Sequence, residues 1–332
     1  MSEPQGHRQT KCLAISDGAV ETAARALRDG RLVAFPTETV YGLGADACNA
    51  DAVAGIFAAK QRPSFNPLIS HVASIEAAFA LGCATPFAKR LAAAFWPGPI
   101  TLILERRTGC PIARLTSAGL DRIALRVPAN VTARKLLRSF GGPVAAPSAN
   151  LSGRISPTRA EHVLEGLAGR IDIVLDGGRC ESGVESTVVD CSGGAAKILR
   201  PGGVTRDDIQ TAIVGTGFEF DEAPTPDESE RPVGPGMLAS HYAPEAGVAT
   251  NVVKPPDGME FIGFGPIDGS GALRLNLSHD GSLLEAAANL FDMLHAADAT
   301  GTSLIGVAPI PETGLGEAIN DRLRRAAAPR GS

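Results

Sequence analysis

Lys-Gln-Arg-Pro-Ser-Phe-Asn-Pro-Leu-Ile-Ser-His, residues 60–71, is the stretch of this chain that decides its fold. Two cations, Lys60 and Arg62, stand one residue apart and repel each other unless an anion faces them. Pro63 and Pro67 stop any helix that arrives at Lys60. Behind them the apolar residues Leu68, Ile69 and Val72 read as a short buried strand. A helix end that carries cations into a strand is a usual α/β phosphate site. Asn66 and His71 fall in the same twelve residues and add polar groups to that junction. Taken alone, the stretch also fits a solvated basic turn, so the surrounding sequence has to decide.

On either side, strand and helix patterns alternate from Val20 to about residue 210. Strands are expected at 31–35, 100–105, 123–127, 143–146, 171–175, 185–190 and 196–200. Helices are expected at 51–60, with Asp51 near the N-cap, at 85–95 before Trp-Pro-Gly-Pro, and at 131–139. Several neighbouring strands lack a crossover helix, which predicts a mixed sheet. Residues 221–235 are acidic and Pro-rich and read as a linker. Beyond it, strands near 247–253, 259–264 and 302–307 and helices at 282–297 and 315–327 predict a second, smaller α/β unit. The expected division is a catalytic domain over 1–215, a linker over 216–244 and a small domain over 245–332.

Composition narrows the function. The 332 residues are 44% hydrophobic, enough for a sizeable core, but only 5% aromatic, thin for a protein that stacks single-stranded bases. Residues 245–332 carry six basic and eleven acidic side chains, and residues 1–244 balance to zero. Neither half has the basic footprint of a dedicated nucleic-acid binder, so charge gives nucleic-acid binding no support. Cys12, Cys48, Cys83, Cys110, Cys180 and Cys191 are scattered without C-x-x-C or zinc spacing, and buried or neutral thiols are expected. The polar start is unlike a signal peptide, and no apolar run approaches the ~20 residues that span a bilayer. A soluble cytoplasmic protein, away from membranes, is the expectation.

Four further motifs carry chemistry. Gly-Leu-Gly-Ala-Asp-Ala at 42–47 follows a strand in the G-x-G-x-x-A pattern. The helix begins only near Asp51, so these glycines do not open it; they read instead as a backbone turn beside a ligand. Pro-Thr-Glu-Thr-Val-Tyr at 36–41 leaves a strand end, where open α/β sheets bind ligands. Ser148 and Asn150 in Pro-Ser-Ala-Asn point the same way if extended, although an Asx or Ser turn fits equally. Arg126 and Arg200 each end a strand next to proline, suited to a carboxylate or phosphate, or to a structural ion pair. Neither G-x-x-x-x-G-K-[ST] nor G-x-S-x-G occurs.

In this order the pieces resemble the YrdC-type threonylcarbamoyl-AMP synthases: P-T-E-T-V-Y-G-L-G, K-x-R-P-x-x-N-P-L-I-x-H, W-P-G-P-x-T, R-V-P, A-P-S-A-N-x-S-G, G-V-E-S-T and L-R-P-G. G-P-G-M-x-x-x-H-Y-A-P (234–244) and G-L-G-x-A-I-x-D-R-L (314–323) are similar to the tail of the longer, two-domain form. The resemblance implies a YrdC-like α/β fold, a twisted mixed parallel and antiparallel sheet with helices, plus a smaller C-terminal Rossmann-like domain. It implies that L-threonine, bicarbonate or CO2, and ATP with Mg²⁺ give threonylcarbamoyl-AMP and pyrophosphate. A separate transferase then places the threonylcarbamoyl group on an adenosine beside the tRNA anticodon. The implied catalytic residues are Lys60, Arg62, Ser148 and Asn150. The implied threonine contacts are Thr39, His71, Arg126 and Ser186. The implied ATP contacts are Arg62, Asn66, the Ala146 backbone, Ser148, Arg200 and Tyr242. Two positions depart from the pattern: Arg122, where relatives often carry Thr, and Ser240, where many carry Arg.

The implied chemistry needs no protein nucleophile, because the threonine amine attacks CO2 and the carbamate oxygen displaces pyrophosphate. Cations and positioning then carry the reaction. His71 either orients threonine or acts as a base. Tyr242 is expected to close over the nucleotide as part of a lid. An RNA-binding module in the same cavity and a carbamoyl transferase with another acceptor are the competing readings.

Overall fold

The computed structural model describes residues 9–193, 196–217, 220–221, 241–256, 258–266 and 275–329. In chain order the first unit runs β1 (Lys11–Ala14), α1 (Asp17–Arg28), β2 (Val33–Phe35), β3 (Gly42–Asp46), α2 (Ala50–Lys60), β4 (Ile69–His71), α3 (Ile75–Leu81) and β5 (Gly82–Cys83). It continues with α4 (Pro86–Phe95), β6 (Ile100–Arg106), β7 (Arg122–Arg126), α5 (Val131–Phe140), β8 (Val144–Ala145), α6 (Ala160–Leu167), β9 (Ile173–Asp176), β10 (Thr187–Asp190), β11 (Ala196–Arg200), α7 (Arg206–Ile213) and β12 (Phe220–Asp221). The second unit holds β13 (Gly247–Ala249), β14 (Glu260–Gly263), β15 (Leu275–Asn276), α8 (Leu283–Asp298), β16 (Leu304–Val307) and α9 (Leu315–Ala327).

The first sheet is mixed, as expected, in the order β1-β9-β2-β3-β8-β4-β7-β6-β10-β11-β12, with β5 on β6. The second is parallel throughout, in the order β13-β16-β14-β15. Local chemistry explains most boundaries. Asn49, Thr85 and Asn130 cap α2, α4 and α5 through side-chain oxygens, and Pro86 opens α4 where no N–H is needed. Gln61 ends α2 in the left-handed region, φ 52°. That reversal separates Lys60 from Arg62.

One expectation is corrected here. Residues 42–46 are not a turn but strand β3, antiparallel to β2 and to β8. A Cβ on Gly44 would stand 2.9 Å from the Phe35 ring and 3.0 Å from Val144, so packing explains that glycine. The strand expected at 247–253 is shorter, because Asn251 takes a left-handed φ of 59°. β12 lies inside the range expected as linker, and residues 222–240, with Ser240, are outside the described residues.

The main core lies between the first sheet and its helices, around Leu43, Ile56, Leu91, Leu102 and Leu125. The second unit's core, around Leu290, Phe291 and Ile305, also takes in Val40, Ile155 and Val184 of the first. The two units therefore share apolar surface. Gly183 is what permits that approach: a Cβ there would lie 2.2 Å from the Ala287 carbonyl oxygen of α8. Among the described residues no helix is long and apolar enough to cross a membrane. The cysteines are free; Cys180 and Cys191 are buried, and Cys12, Cys48 and Cys83 are exposed. Burial first, then nearby charges, raises Cys12, and raises Cys48 to about 11, which keeps these thiols neutral.

Candidate active site

The strands β2, β4, β7, β8, β10 and β11 all deliver their ends, or the loops beside them, to one cavity of about 570 Å³ including its mouth. Thr39, Arg62, His71, Arg126, Ala146, Ser148, Ser186, Arg200 and Tyr242 all line it. Residues spread from Thr37 to Tyr242 thus meet there, and they fall into two groups.

The first group surrounds Arg126. Register pairs His71 with Arg126 on adjacent parallel strands. The Arg126 Nη2 donates to Glu38 Oε1 at 2.6 Å, both side chains being almost fully buried. Burial alone would raise the Glu38 carboxyl; the Arg126 charge and hydrogen bond outweigh it and hold it below the ordinary range. Arg126 Nε and His71 Nδ1 are buried without a partner. Burial, then Arg126, pushes His71 down to about 3, so its imidazole is neutral at pH 7. Thr37 Oγ1 donates to the Val40 carbonyl at 2.7 Å and lies 2.8 Å from Thr39 Oγ1. Thr39 must therefore donate to Thr37, which leaves Thr39 an acceptor toward the cavity.

The second group is cationic. Arg62 donates to the Pro67 carbonyl at 3.2 Å, and Arg200 to the Ser186 carbonyl at 2.8 Å. Among the described residues neither forms an ion pair. Burial, then Arg200, pushes Arg62 down to about 10; an anion beside it would reverse that. Ser186 Oγ lies 2.8 Å from Thr101 Oγ1 and accepts from Arg200 at 3.2 Å. His241 and Tyr242 cover this end, and His241 Nδ1 and the Tyr242 hydroxyl have no partner. Tyr242 holds a left-handed φ of 65°, a conformation that costs a bulky residue about 1–3 kcal/mol. The contact of its ring with Phe291 of α8, 5.6 Å between centroids, helps hold it there.

Three expected residues stand elsewhere. Lys60 is 1% exposed and does not line the cavity. Its ammonium donates to the Ser148 carbonyl at 2.5 Å and to the backbone carbonyl and side-chain oxygen of Asn150. Burial, then the Arg62 charge, lowers its pKa well below the ordinary value. Asn150 is not extended alongside Ser148; its amide turns back to Lys60 and donates to the Arg154 carbonyl at 2.7 Å. Asn66 is fully buried behind the cavity, with both amide atoms unpaired. The Ala146 N–H is committed to the Ile69 carbonyl, so any backbone contact there falls to its carbonyl. Arg122 pairs with Asp190 at 2.8 Å and is also absent from the lining.

Other residues had no role assigned from sequence. Glu38 sits inside Pro-Thr-Glu-Thr-Val-Tyr, and Glu185 inside Gly-Val-Glu-Ser-Thr. Glu185 lines the cavity and Glu38 holds Arg126, which does; their arginine partners lie 137 and 88 residues away. No local spacing announces partners so distant.

The Sua5_yciO_yrdC family model, described as "Telomere recombination", matches residues 25–202. The model described as "Threonylcarbamoyl-AMP synthase, C-terminal domain" matches residues 204–328. A threonylcarbamoyl-AMP synthase of Bacillus subtilis is 42% identical over 96% of this chain and 95% of its own length. One from Pyrococcus abyssi is 40% identical over 94% and 95%. The crystal structure of P. abyssi Sua5 complexed with L-threonine superposes with a TM-score of 0.84 at 39% identity, covering 96% of this chain and 97% of that one. Escherichia coli YciO shares the fold of the first unit, with a TM-score of 0.54 at 22% identity over 59% of this chain. With both units matched and two relatives aligned almost end to end, this chain belongs to the threonylcarbamoyl-AMP synthase family.

Proposed function

We propose that this chain joins L-threonine, bicarbonate or CO2, and ATP into threonylcarbamoyl-AMP and releases pyrophosphate. The observation that carries the reading is the pair of buried arginines, Arg62 and Arg200, held by carbonyl oxygens and by no carboxylate among the described residues. Two such cations in one cavity suit polyphosphate oxygens. The Arg126 group, with Thr39 and neutral His71 beside it, suits an amino acid.

The steps balance without a covalent enzyme intermediate. The threonine nitrogen attacks the carbon of CO2, loses a proton and becomes an N-carboxylate. A carbamate oxygen attacks the α-phosphorus, the bond to the bridging oxygen breaks, and pyrophosphate leaves with that electron pair. Among the described residues no lining hydroxyl hydrogen-bonds a histidine, as an activated nucleophile would require. Arg62 and Arg200 face the charge that builds on phosphate oxygens, and Ser148 adds a hydroxyl. Arg126, with its unpaired Nε, holds the threonine carboxylate, and neutral His71 presents an unpaired nitrogen to the amine. Lys60 and Asn150 act one layer out, by fixing the turn that carries Ser148.

Mg²⁺ accompanies ATP in this proposal. Among the described residues no three His, Cys, Asp or Glu side chains are grouped to cage an ion, and Glu38 and Glu185 are both engaged by arginines. The ion therefore belongs to the nucleotide phosphates. The product is a reactive mixed anhydride, so a transferase that places it on a tRNA adenosine is the partner, with tRNA bound by that partner. Pyrophosphate release is the test. It is expected only when threonine, bicarbonate and ATP are all present, and release without threonine would overturn the reading.

A further inference from the structure

One side chain of the second unit reaches the cavity wall. Arg322 on α9 is 0% exposed, the largest fully buried side chain among the described residues. Its Nε donates to Glu185 Oε2 at 2.8 Å. Its Nη1 donates to the Pro201 carbonyl at 2.8 Å and to Asp321 Oδ2 at 2.7 Å. Its guanidinium carbon lies 5.3 Å from the centre of the Tyr242 ring. The contacts with Glu185, Pro201 and Tyr242 bear on the cationic end of the cavity. Glu185 immediately precedes Ser186, Pro201 immediately follows Arg200, and Tyr242 covers both.

Within the wall, Arg200 is already tied to the Ser186 carbonyl. The segments it joins run very close: a Cβ on Gly202 would stand 2.3 Å from the Glu185 carbonyl oxygen. Arg322 binds both segments from outside, one through a side chain and one through a backbone carbonyl. Among the described residues it has no hydrogen bond or ion pair to Glu38, His71 or Arg126. The contacts are thus one-sided. An ion pair this deeply buried contributes little net stability compared with an apolar replacement, whereas a rigid fork fixes geometry.

We propose that Arg322 is a positioning residue that holds Arg200 and Tyr242 in register for the nucleotide, so that the second unit completes the nucleotide end of the cavity. The proposal rests on the adenylate-forming reading and gives the second unit a part in it.

The test uses the full chain and its Arg322→Gln, Arg322→Lys and Glu185→Gln/Arg322→Met variants. The double variant removes both charges together, so no unpaired buried charge is left to unfold it. Calorimetry is run separately with L-threonine and with an ATP analogue that cannot release pyrophosphate. Nucleotide affinity is expected to fall about 10- to 100-fold in Arg322→Gln and in the double variant, the loss typical of a misplaced site. Threonine affinity is expected to stay at the wild-type level, and Arg322→Lys to recover part of the nucleotide loss. Wild-type nucleotide affinity in folded Arg322→Gln, or equal weakening of both ligands in the double variant, would overturn the proposal. Threonine-dependent pyrophosphate release by the wild type is measured alongside. Its absence would count against the activity itself, while the split between ligands bears on Arg322 alone.

Discussion

Lys60 and Arg62 are near neighbours in sequence and perform different tasks. The left-handed turn at Gln61 sends one into a loop of carbonyls and the other to the cavity wall. Their substitutions should therefore differ in kind. Arg62→Ala is expected to leave the unfolding midpoint near wild type while raising the barrier to pyrophosphate release by about 3–4 kcal/mol, as for one lost electrostatic contact. Lys60→Met leaves the Ser148 and Asn150 oxygens unpaired, at about 1–3 kcal/mol for each buried group. It should lower stability in urea as well as activity. Equal stability of the two variants would contradict the division. The types and positions of these cations are legible in the sequence. Which one faces the ligand is not, because one left-handed residue between them decides it.

Thr39 gives a second prediction at this scale. As an acceptor it suits the hydroxyl of threonine, and a site built to bond a hydroxyl rejects analogues lacking it, by ~10⁴-fold in favourable cases. Serine should compete better than 2-aminobutyrate in calorimetry. Equal binding of threonine and 2-aminobutyrate would rule this out.

Among the elements, the caps and prolines that bound α2, α4 and α5 are visible in the sequence, and those helices lie within a residue or so of where they are expected. Strand β3 is missed because its glycines resemble a turn, whereas Gly44 makes room for Phe35 and Val144 from neighbouring strands. The seam between α6 and α8 is also silent in the sequence. There Asp292 of α8 accepts from Thr158 at 2.7 Å and pairs with Arg159 at 2.8 Å and Arg179 at 3.0 Å. Beside it the rings of His162 and His295 stack at 3.8 Å. Asp292→Asn weakens two ion pairs at once and is expected to cost about 1–3 kcal/mol in urea unfolding. Threonine affinity should be unchanged, since Asp292 is not part of the cavity lining. An unchanged unfolding midpoint would show that this seam does not hold the units together.

For the whole molecule, acid should be more damaging than mild alkali. His71 titrates at about 3 and His295 at about 4 in the folded chain, burial being the first cause in each; both lie near 6.5 when unfolded. His162 and His241 are lowered as well, again mainly by burial. Between the folded and unfolded values the unfolded chain binds more protons, so falling pH favours unfolding. Glu38, Glu185, Asp292 and Asp321 act in the same direction at lower pH, because their folded values lie below the ordinary carboxylate range. Urea midpoints should fall from about pH 6.5 toward 4. Constant midpoints between pH 7 and 5 would contradict the neutral, buried histidines. The mixed sheet and the second α/β unit are legible from alternation and spacing alone. The joining of the two units through Gly183, Tyr242 and Arg322 is not, since each partner lies far away in sequence.

The central claim is that one cavity makes a carbamate from threonine and transfers AMP to it. Mass spectrometry of a reaction containing L-threonine, ATP and ¹³C-bicarbonate tests this most directly. The account predicts a species with the mass of threonylcarbamoyl-AMP, carrying the label in its carbamoyl carbon and absent when threonine is left out. Pyrophosphate release accompanied only by unlabelled AMP or by threonyl-AMP would contradict it.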